Sequence, residues 1–532
     1  MIREKIEKIV SQFAPEDTKF SINHPPKREY GDYSIFFPLK IAKNIKLKIE
    51  RKPPSFLDKV QLVSPGFLNF YLKSDFLQKQ IKKIIKDKEN FGRLNLGKGE
   101  KINIEFISAN PTGPLHIGNG RGAFWGDVLA NILEYSGFKV IREYYINNSK
   151  SSSQIKELGK TALGKGTSYQ TKELKKIIQK IKSKLSKIKS ESEAGFILAR
   201  ELQKENQKFI EKKLKIKFDI WFEEEGLFKK SEIKKIISFL KNKNLIYKKD
   251  GALWLKTSRF DNLKDEVLIR KDGNPAYFLS DIAYHKDKIQ RGFKKIIDIW
   301  GADHQGHIKR MEAAIKILNF KGEFRVFISQ MVILKGGKKL SKRRGDLILL
   351  EDLVEEVGLD ICKYFYLSKS LSTQMEFDLE LAKKQSEKNP VYYIQYAYAR
   401  ICSILRKLEK FKISTSHQLV QRIMTENLKL LKHPSELKLI KQLVRFPEMI
   451  EDIAGNFELH RLCEFVYDLA NIFNQFYRDC RVLPNVKKQK IQKKSKEINN
   501  NLIKARVNLV IATKIVLENS MKILGISLPK KM

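Results

Sequence analysis

A chain of 532 residues exceeds what one hydrophobic core can hold, so about three or four domains are expected, and a hydrophobic content of 42% supports well-packed ones. No apolar run reaches the roughly eighteen residues of a membrane span, and the start MIREKIEKIVSQFAPEDTKF lacks an apolar core followed by a small-residue cleavage pattern, so a cytoplasmic protein without a membrane-spanning helix is expected. The formal charge of +43 suits a polyanion such as a large RNA, yet Lys, Ile and Asn are heavily used throughout, so charge alone locates no binding surface.

Residues 1–95 alternate helix-like and strand-like pieces, with turns at Gly31-Asp32-Tyr33 and Pro65-Gly66-Phe67, and predict a basic α+β unit. Phe70, Tyr71 and Phe76 are its candidate exposed aromatics, although at near-alternate spacing such residues more often form core than stack on bases. From Lys101, Ile102, Ile104 and Phe106 alternate with Asn103, Glu105 and Ile107, which predicts a strand carrying Glu105 on its polar face. A turn rich in Asn, Pro and Gly leads to a helix from Ile117, marked by Phe124, Trp125, Val128, Leu129, Ile132 and Leu133 and stopped by Gly137. At its mouth stand His116, Gly118, Asn119, Gly120 and Gly122, where unpaired backbone N–H groups and the helix dipole favour an anion and glycines admit a flat nucleotide.

The α/β pattern breaks off after 143-EYYINN-148 and resumes near 216-IKFDIWFEEE-225. The lysine-rich insertion between them, about 150–215, contains 172-KELKKIIQKIKSKLSKIKSE-191, which predicts one basic amphipathic helix with Ile177, Ile178, Ile181, Leu185 and Ile188 on its packed face. The string 159-GKTALGKG-166 is no phosphate loop: Gly166 occupies the Ser/Thr position, and helix-like 154-QIKEL-158 precedes it instead of a strand. Strands are predicted at 252-ALWLKT-257 and 295-KIIDIW-300, and 276-AYFLSDIAYHKDKI-289 sets Tyr277 and Asp281 four apart on one helical face. Beyond the glycine-bordered segment 335-KGGKKLSKRRGD-346, Pro390 opens a helical bundle that runs to Met532 with breaks at Pro434, Pro447 and Pro484. Cys362, Cys402, Cys463 and Cys480 lack zinc-type spacing and read as reduced core thiols, and His304 and His307 lack a nearby third ligand, so no metal site is expected.

HIGN at 116–119 and KLSKR at 339–343 resemble the two signature elements of class I aminoacyl-tRNA synthetases, usually His-Ile-Gly-His and Lys-Met-Ser-Lys-Ser. The longer SANPTGPLHIGN, with 277-YFLSD-281, 301-GADHQGH-307, 360-DICKYFYLS-368, 391-VYYIQYAYARI-401 and the ending LGISLP, is similar to arginyl-tRNA synthetases over nearly the whole chain. The resemblance implies a multidomain α/β protein. A Rossmann-like parallel-sheet catalytic core would span 96–388, an N-terminal α+β domain contacting the tRNA elbow 1–95, and a C-terminal all-α anticodon-binding bundle 389–532. It further implies a monomeric ligase of protein synthesis that activates L-arginine with ATP, Mg2+ accompanying the nucleotide, and then charges tRNA(Arg) at its terminal ribose.

By the same resemblance, Pro114, His116, Gly118, Asn119, Gly120, Lys339, Leu340, Ser341, Lys342 and Arg343 bind ATP. His116, Asn119, Lys339 and Lys342 would stabilise charge on the phosphates, which this chemistry needs more than a protein nucleophile. Asn119 stands where the family usually has its second histidine; an amide donates a hydrogen bond but carries no charge. Arginine would be held by Glu105, Ser108, Asn110, Tyr277, Asp281, Asp303 and His304, since carboxylates meet a guanidinium in bidentate fashion. Asp303 and His304 could equally meet a ribose. Tyr393, Tyr396, Tyr398 and Arg400, with Tyr392 beside them, are candidates for stacking on tRNA bases, though most tyrosines of this helix should pack within the bundle. Plainer readings stay open: Glu105 paired with a lysine, Tyr277 and Asp281 as a surface pair, KLSKR as a solvated loop. The rival functions are another class I adenylate-forming enzyme and a non-catalytic RNA-binding protein on this scaffold.

Overall fold

The computed structural model describes residues 1–260, 264–337, 348–410, 427–483 and 493–532. It opens with α1 (Ile2–Ser11), β1 (Tyr33–Phe36), α2 (Leu39–Arg51), β2 (Leu57–Val63), β3 (Phe67–Leu72) and α3 (Ser74–Asp87), whose strands form an antiparallel sheet in the order β1-β3-β2. The turn before β3 requires glycine: Gly66 has φ +156°, and a Cβ there would lie 1.9 Å from the Phe37 carbonyl oxygen. Phe70 is fully buried, against the expectation of exposure, because its face of β3 packs onto the helices of this unit. Tyr71 and Phe76 are half-buried. The unit's exposed pair is instead Phe36 and Phe67, with ring centroids 5.2 Å apart.

The central unit contains a five-stranded parallel sheet built from β4 (Lys101–Glu105), β5 (Lys139–Ile146), β6 (Ile220–Glu223), β10 (Lys295–Gly301) and β11 (Glu323–Ser329), in the order β11-β10-β4-β5-β6. The chain builds outward from β4 to β5 and β6, then returns to the other side of β4. Helix α4 (Ile117–Tyr135) makes the first crossover, and α11 (Tyr277–Gln290) precedes the return. β4 is covered on both faces, as parallel strands flanked by helices are. Its polar residues therefore face a helix and not water: Asn103 is fully buried and Glu105 is 6% exposed.

Between β5 and β6 lie α5 (Ser153–Ala162), α6 (Lys172–Lys180), α7 (Lys182–Leu185) and α8 (Glu191–Lys208), packed around a small core of their own. The single helix expected over 172–191 is broken at Ile181, which lets Ile181 and Leu185 both turn inward beside Ile155, Ala199 and Leu202. Gly159 lies inside α5 and faces α8. A Cβ on Gly159 would sit 1.8 Å from Glu191 O, and one on Gly195 1.8 Å from Ile155 O, so this glycine serves helix contact and not phosphate. After β6 come α9 (Glu225–Lys229), α10 (Glu232–Asn242) and the antiparallel β7 (Ile246–Lys249), β8 (Ala252–Leu255) and β9 (Glu266–Ile269). Helix α12 (Ile308–Ile317) joins β10 to β11. It is followed by β12 (Val332–Leu334), α13 (Leu350–Val357), α14 (Leu359–Leu367), β13 (Met375–Phe377) and α15 (Leu379–Ala382), with β12 and β13 pairing in parallel.

The C-terminal region is helical in every described element: α16 (Pro390–Lys410), α17 (Pro434–Val444), α18 (Phe446–Asn456), α19 (His460–Asp479) and α20 (Lys493–Leu524). Pro434 and Pro447 stand in first turns, where a fixed φ and a missing N–H cost nothing; Pro484 lies outside the described residues. All four cysteines are unbridged and buried. One hydrophobic core runs from Ile6 through Leu129 to Leu517. In it α4 is packed by α13 and α14 and by the bundle helices α18 and α20, and Asn131 Nδ2 donates to Ile523 O at 2.9 Å. Glu448, at the first unit's contact with the bundle, accepts from Arg3 N at 2.8 Å and Tyr33 Oη at 3.0 Å, with His24 Nε2 also 3.0 Å away. Among the described residues no helix is long and apolar enough to cross a membrane.

Candidate active site

A cavity of about 1580 Å³ opens at the carboxyl ends of β4 and β10, where the strand order reverses direction and open α/β sheets bind ligands. Its wall begins at the mouth of α4. His116 caps that helix: its Nδ1 accepts from Gly118 N at 3.1 Å, while Asn119 Oδ1 accepts from His116 N at 2.9 Å. With Nδ1 an acceptor, the neutral ring carries its proton on Nε2. Burial pulls the His116 pKa down from its ordinary value, partly offset by nearby Asp303, so the residue offers a neutral N–H donor. Asn119 thus spends its carbonyl on the cap. Pro114, His116, Gly118 and Asn119 all line the cavity.

Gly120 does not. It is buried beneath α13, and a Cβ there would meet Leu350 Cδ1 at 2.8 Å and Tyr366 Cζ at 3.2 Å, so it serves packing and not nucleotide approach. Gly122 likewise faces Ile299. After β4 the chain turns through Ile107 (φ +68°) and Ser108 (φ +37°), conformations costly for side chains, above all a β-branched one. Tyr145 N donates to Ser108 Oγ at 3.1 Å and Asn147 Nδ2 to Ser108 O at 3.2 Å, holding the bend so that Ser108 and Asn110 line the cavity.

At the floor, the parallel register aligns Asp298 of β10, Glu105 of β4 and Glu143 of β5 in one row across the sheet. Helix α11 lays a complementary set over it. Lys288 Nζ donates to Glu105 Oε2 at 2.6 Å and Asp298 Oδ1 at 2.8 Å, and His285 Nε2 lies 2.8 Å from Asp298 Oδ2. Arg291 clamps Glu143 with bonds of 2.7 and 2.9 Å, and Tyr284 Oη donates to the same carboxylate at 2.9 Å. Burial pushes Glu105 above its ordinary pKa against the pull of Lys288. Burial also raises Asp298, but Lys288 and His285 outweigh it and hold that carboxyl at about 2. Glu105 thus does pair with a lysine while still lining the cavity.

Asp281 lines the cavity too, its Oδ2 2.9 Å from His307 Nε2. Tyr277 stands four residues before it on the same helix, as expected, but does not line the cavity: it is 48% exposed at the first turn of α11, and its hydroxyl lies 2.9 Å from Ser152 Oγ. Asp303 and His304 line the cavity as well, both exposed, in the 3-10 turn after β10 that also carries His307. Tyr169, Gln170, Thr171, Lys172, Glu173 and Lys176 of the insertion also border the cavity. Sequence reasoning missed them; the only local signal was Thr171, whose Oγ1 caps α6 by accepting from Leu174 N at 3.2 Å. Lys339, Leu340, Ser341, Lys342 and Arg343 lie outside the described residues. No group of three or more metal-ligating side chains occurs among the described residues.

On α16, Tyr398 is buried and donates to Glu518 Oε1 at 2.5 Å, which removes it as a stacking surface. Tyr396 is 38% exposed with the Arg400 guanidinium 4.7 Å from its ring centroid. Tyr393 is half-buried against Tyr467.

A parallel sheet with a capped helix opening onto the cavity at its switch point fits the class I synthetase frame, and the family described as "tRNA synthetases class I (R), catalytic domain" matches residues 80–364. "Arginyl tRNA synthetase N terminal domain" matches residues 1–72 and "DALR anticodon binding domain" residues 394–532. The arginine–tRNA ligase of Caldanaerobacter subterraneus subsp. tengcongensis is 39% identical, covering 96% of this chain and 93% of that protein. The one of Dehalococcoides mccartyi is 38% identical over 96% of this chain and 94% of its own length. Thermus thermophilus arginyl-tRNA synthetase shares the fold with a TM-score of 0.75 at 19% identity, each chain covered in full. The chain belongs to the arginine–tRNA ligase family.

Proposed function

We propose that the ligation of arginine to tRNA, the reaction of this family, takes place in the cavity over β4 and β10. An arginine carboxylate oxygen attacks the α-phosphorus of ATP, the bond to the β-phosphate breaks, and pyrophosphate leaves. His116 Nε2–H and the Asn119 amide donate to the phosphates, while Lys339 and Lys342 offset charge on the departing pyrophosphate. Magnesium, carried by the nucleotide, neutralises part of the phosphate charge. Glu105 and Asp281 meet the guanidinium, Ser108 and Asn110 its amino-acid end, and Asp303 and His304 the ribose or arginine. A terminal ribose hydroxyl of tRNA(Arg) then attacks the activated carbonyl, AMP leaves with the bonding pair, and the hydroxyl proton passes to phosphate.

In this reading residues 1–95 approach the tRNA elbow and 389–532 the anticodon, with Tyr396, Arg400 and Tyr393 the stacking candidates, in a cytoplasmic monomer. The observation that carries the reading is the placing of two carboxylates, Glu105 and Asp281, in the same cavity as the His116 cap. Pyrophosphate exchange with arginine, lysine and other amino acids, with and without tRNA(Arg), tests it. Exchange driven by arginine only when tRNA(Arg) is present is expected. Exchange with another amino acid overturns the substrate, and none with any amino acid favours a non-catalytic RNA-binding protein.

A further inference from the structure

Lys288 is fully buried, with its Nζ between Glu105 Oε2 and Asp298 Oδ1 and 4.3 Å from the Tyr284 ring centroid. It does not line the cavity, so no ligand there touches it. Its two partners are register neighbours on adjacent strands, both withdrawn from water. Two carboxylates so placed cannot both stay ionised without a cation between them; one takes up a proton. His285 braces the far side, its Nε2 facing Asp298 Oδ2 and its Nδ1 2.8 Å from Asp281 O.

Resting on the reading of Glu105 as a guanidinium partner, we propose that Lys288 is a positioning residue for arginine recognition. Its buried ammonium keeps Glu105 ionised and ties Oε2 back, leaving Oε1 for the substrate. A guanidinium is a cation that offers only donors, so a protonated Glu105, uncharged and with one oxygen turned donor, would hold the substrate far more weakly even though the residue is present. The groups facing Glu105 are Lys288, His285 and Tyr284 from α11, Asp298 from β10, and Tyr145 and Glu143 from β5, the last already paired with Arg291. Lys288 is the one permanent cation among them, and burial with Asp298 works against it.

The test is a double-mutant cycle of Lys288→Met and Glu105→Gln in the full chain, reading arginine KM and kcat for tRNA charging between about pH 6 and 9. Lys288→Met should raise arginine KM roughly tenfold or more, with ATP KM unchanged and arginine KM falling as pH rises and Glu105 loses its proton. Combined with Glu105→Gln it should add nothing further. A parental arginine KM in Lys288→Met, or defects that multiply in the double variant, would overturn the proposal. Asp298→Asn decides it independently of how well Lys288→Met folds. It removes the competing carboxylate and keeps the ammonium, so arginine KM should stay within about threefold of the parent and lose no ground at low pH; a rise like that expected of Lys288→Met would refute a charge-setting role. If Glu105→Gln alone leaves arginine KM unchanged, the reading of Glu105 fails, separately from Lys288.

Discussion

Replacing Asp281 by asparagine removes a negative charge from the cavity while preserving volume and one carbonyl acceptor. The side chain is 30% exposed and shares its charge with His307 at 2.9 Å, so it is neither fully desolvated nor solely available to substrate. A hydrogen bond to a charged group contributes about 1.5–3 kcal/mol, and partial exposure places this one near about 1.5–2 kcal/mol. At about 1.4 kcal/mol per decade, kcat/KM for arginine should fall roughly 10- to 30-fold. Steady-state charging with arginine varied at saturating ATP and tRNA measures it, and ATP KM should not move because the His116 side of the cavity is untouched. An arginine kcat/KM within about twofold of the parent would show that Asp281 serves His307 and not the substrate.

Gly195→Ala should cost about 1–3 kcal/mol through the clash with Ile155 O, lowering the thermal midpoint or exposing the insertion to protease; an unchanged midpoint and digestion pattern would count against the close α5–α8 contact. Because burial lowers the His116 pKa in the folded state, its contribution to stability is fully present above the unfolded value near 6.5 and is lost as pH falls through the folded value. Denaturant unfolding should therefore show the parent losing stability relative to His116→Gln as pH drops through that window, and parallel curves would refute the shift. Tyr396→Ala should weaken tRNA binding by about 1–3 kcal/mol if the exposed ring stacks on a base, whereas Tyr398→Phe should leave tRNA affinity alone and cost about 1 kcal/mol of stability through the lost Glu518 bond. Filter binding and thermal melts of the two variants separate these outcomes, and an affinity loss confined to Tyr398→Phe would invert the assignment.

The strand before the helix mouth, the stretches near 143–148 and 216–225 and the strand at 295–300 were legible in the sequence, because apolar runs and a cluster of His, Gly and Asn are local patterns, whereas β11 was not read. What it hid depends on rotation and register. Four residues of helix advance about 6 Å along the axis, enough to carry Tyr277 past the cavity rim while Asp281 stays inside. Gly120 and Gly118 look alike in the string, yet one lies under α13 and the other at the opening. The row of Asp298, Glu105 and Glu143 comes from three strands distant in sequence, and only their pairing makes Lys288 anything but one more lysine in a lysine-rich chain. Tyr398 is one of the tyrosines expected to pack within the bundle, and which ones do so was not legible because a crowded tyrosine helix does not say which of its sides faces α20.

Helix α4 is a beam roughly 28 Å long, with the His116 cap at one end and its flank clasped by α18 and α20. A tRNA that displaces the C-terminal bundle on seating has to carry this beam along or prise open the core they share. In the proposed reading, the tRNA contacts of the bundle and the phosphate contacts of His116 are thereby joined through one helix, which would give tRNA binding a mechanical route to arginine activation.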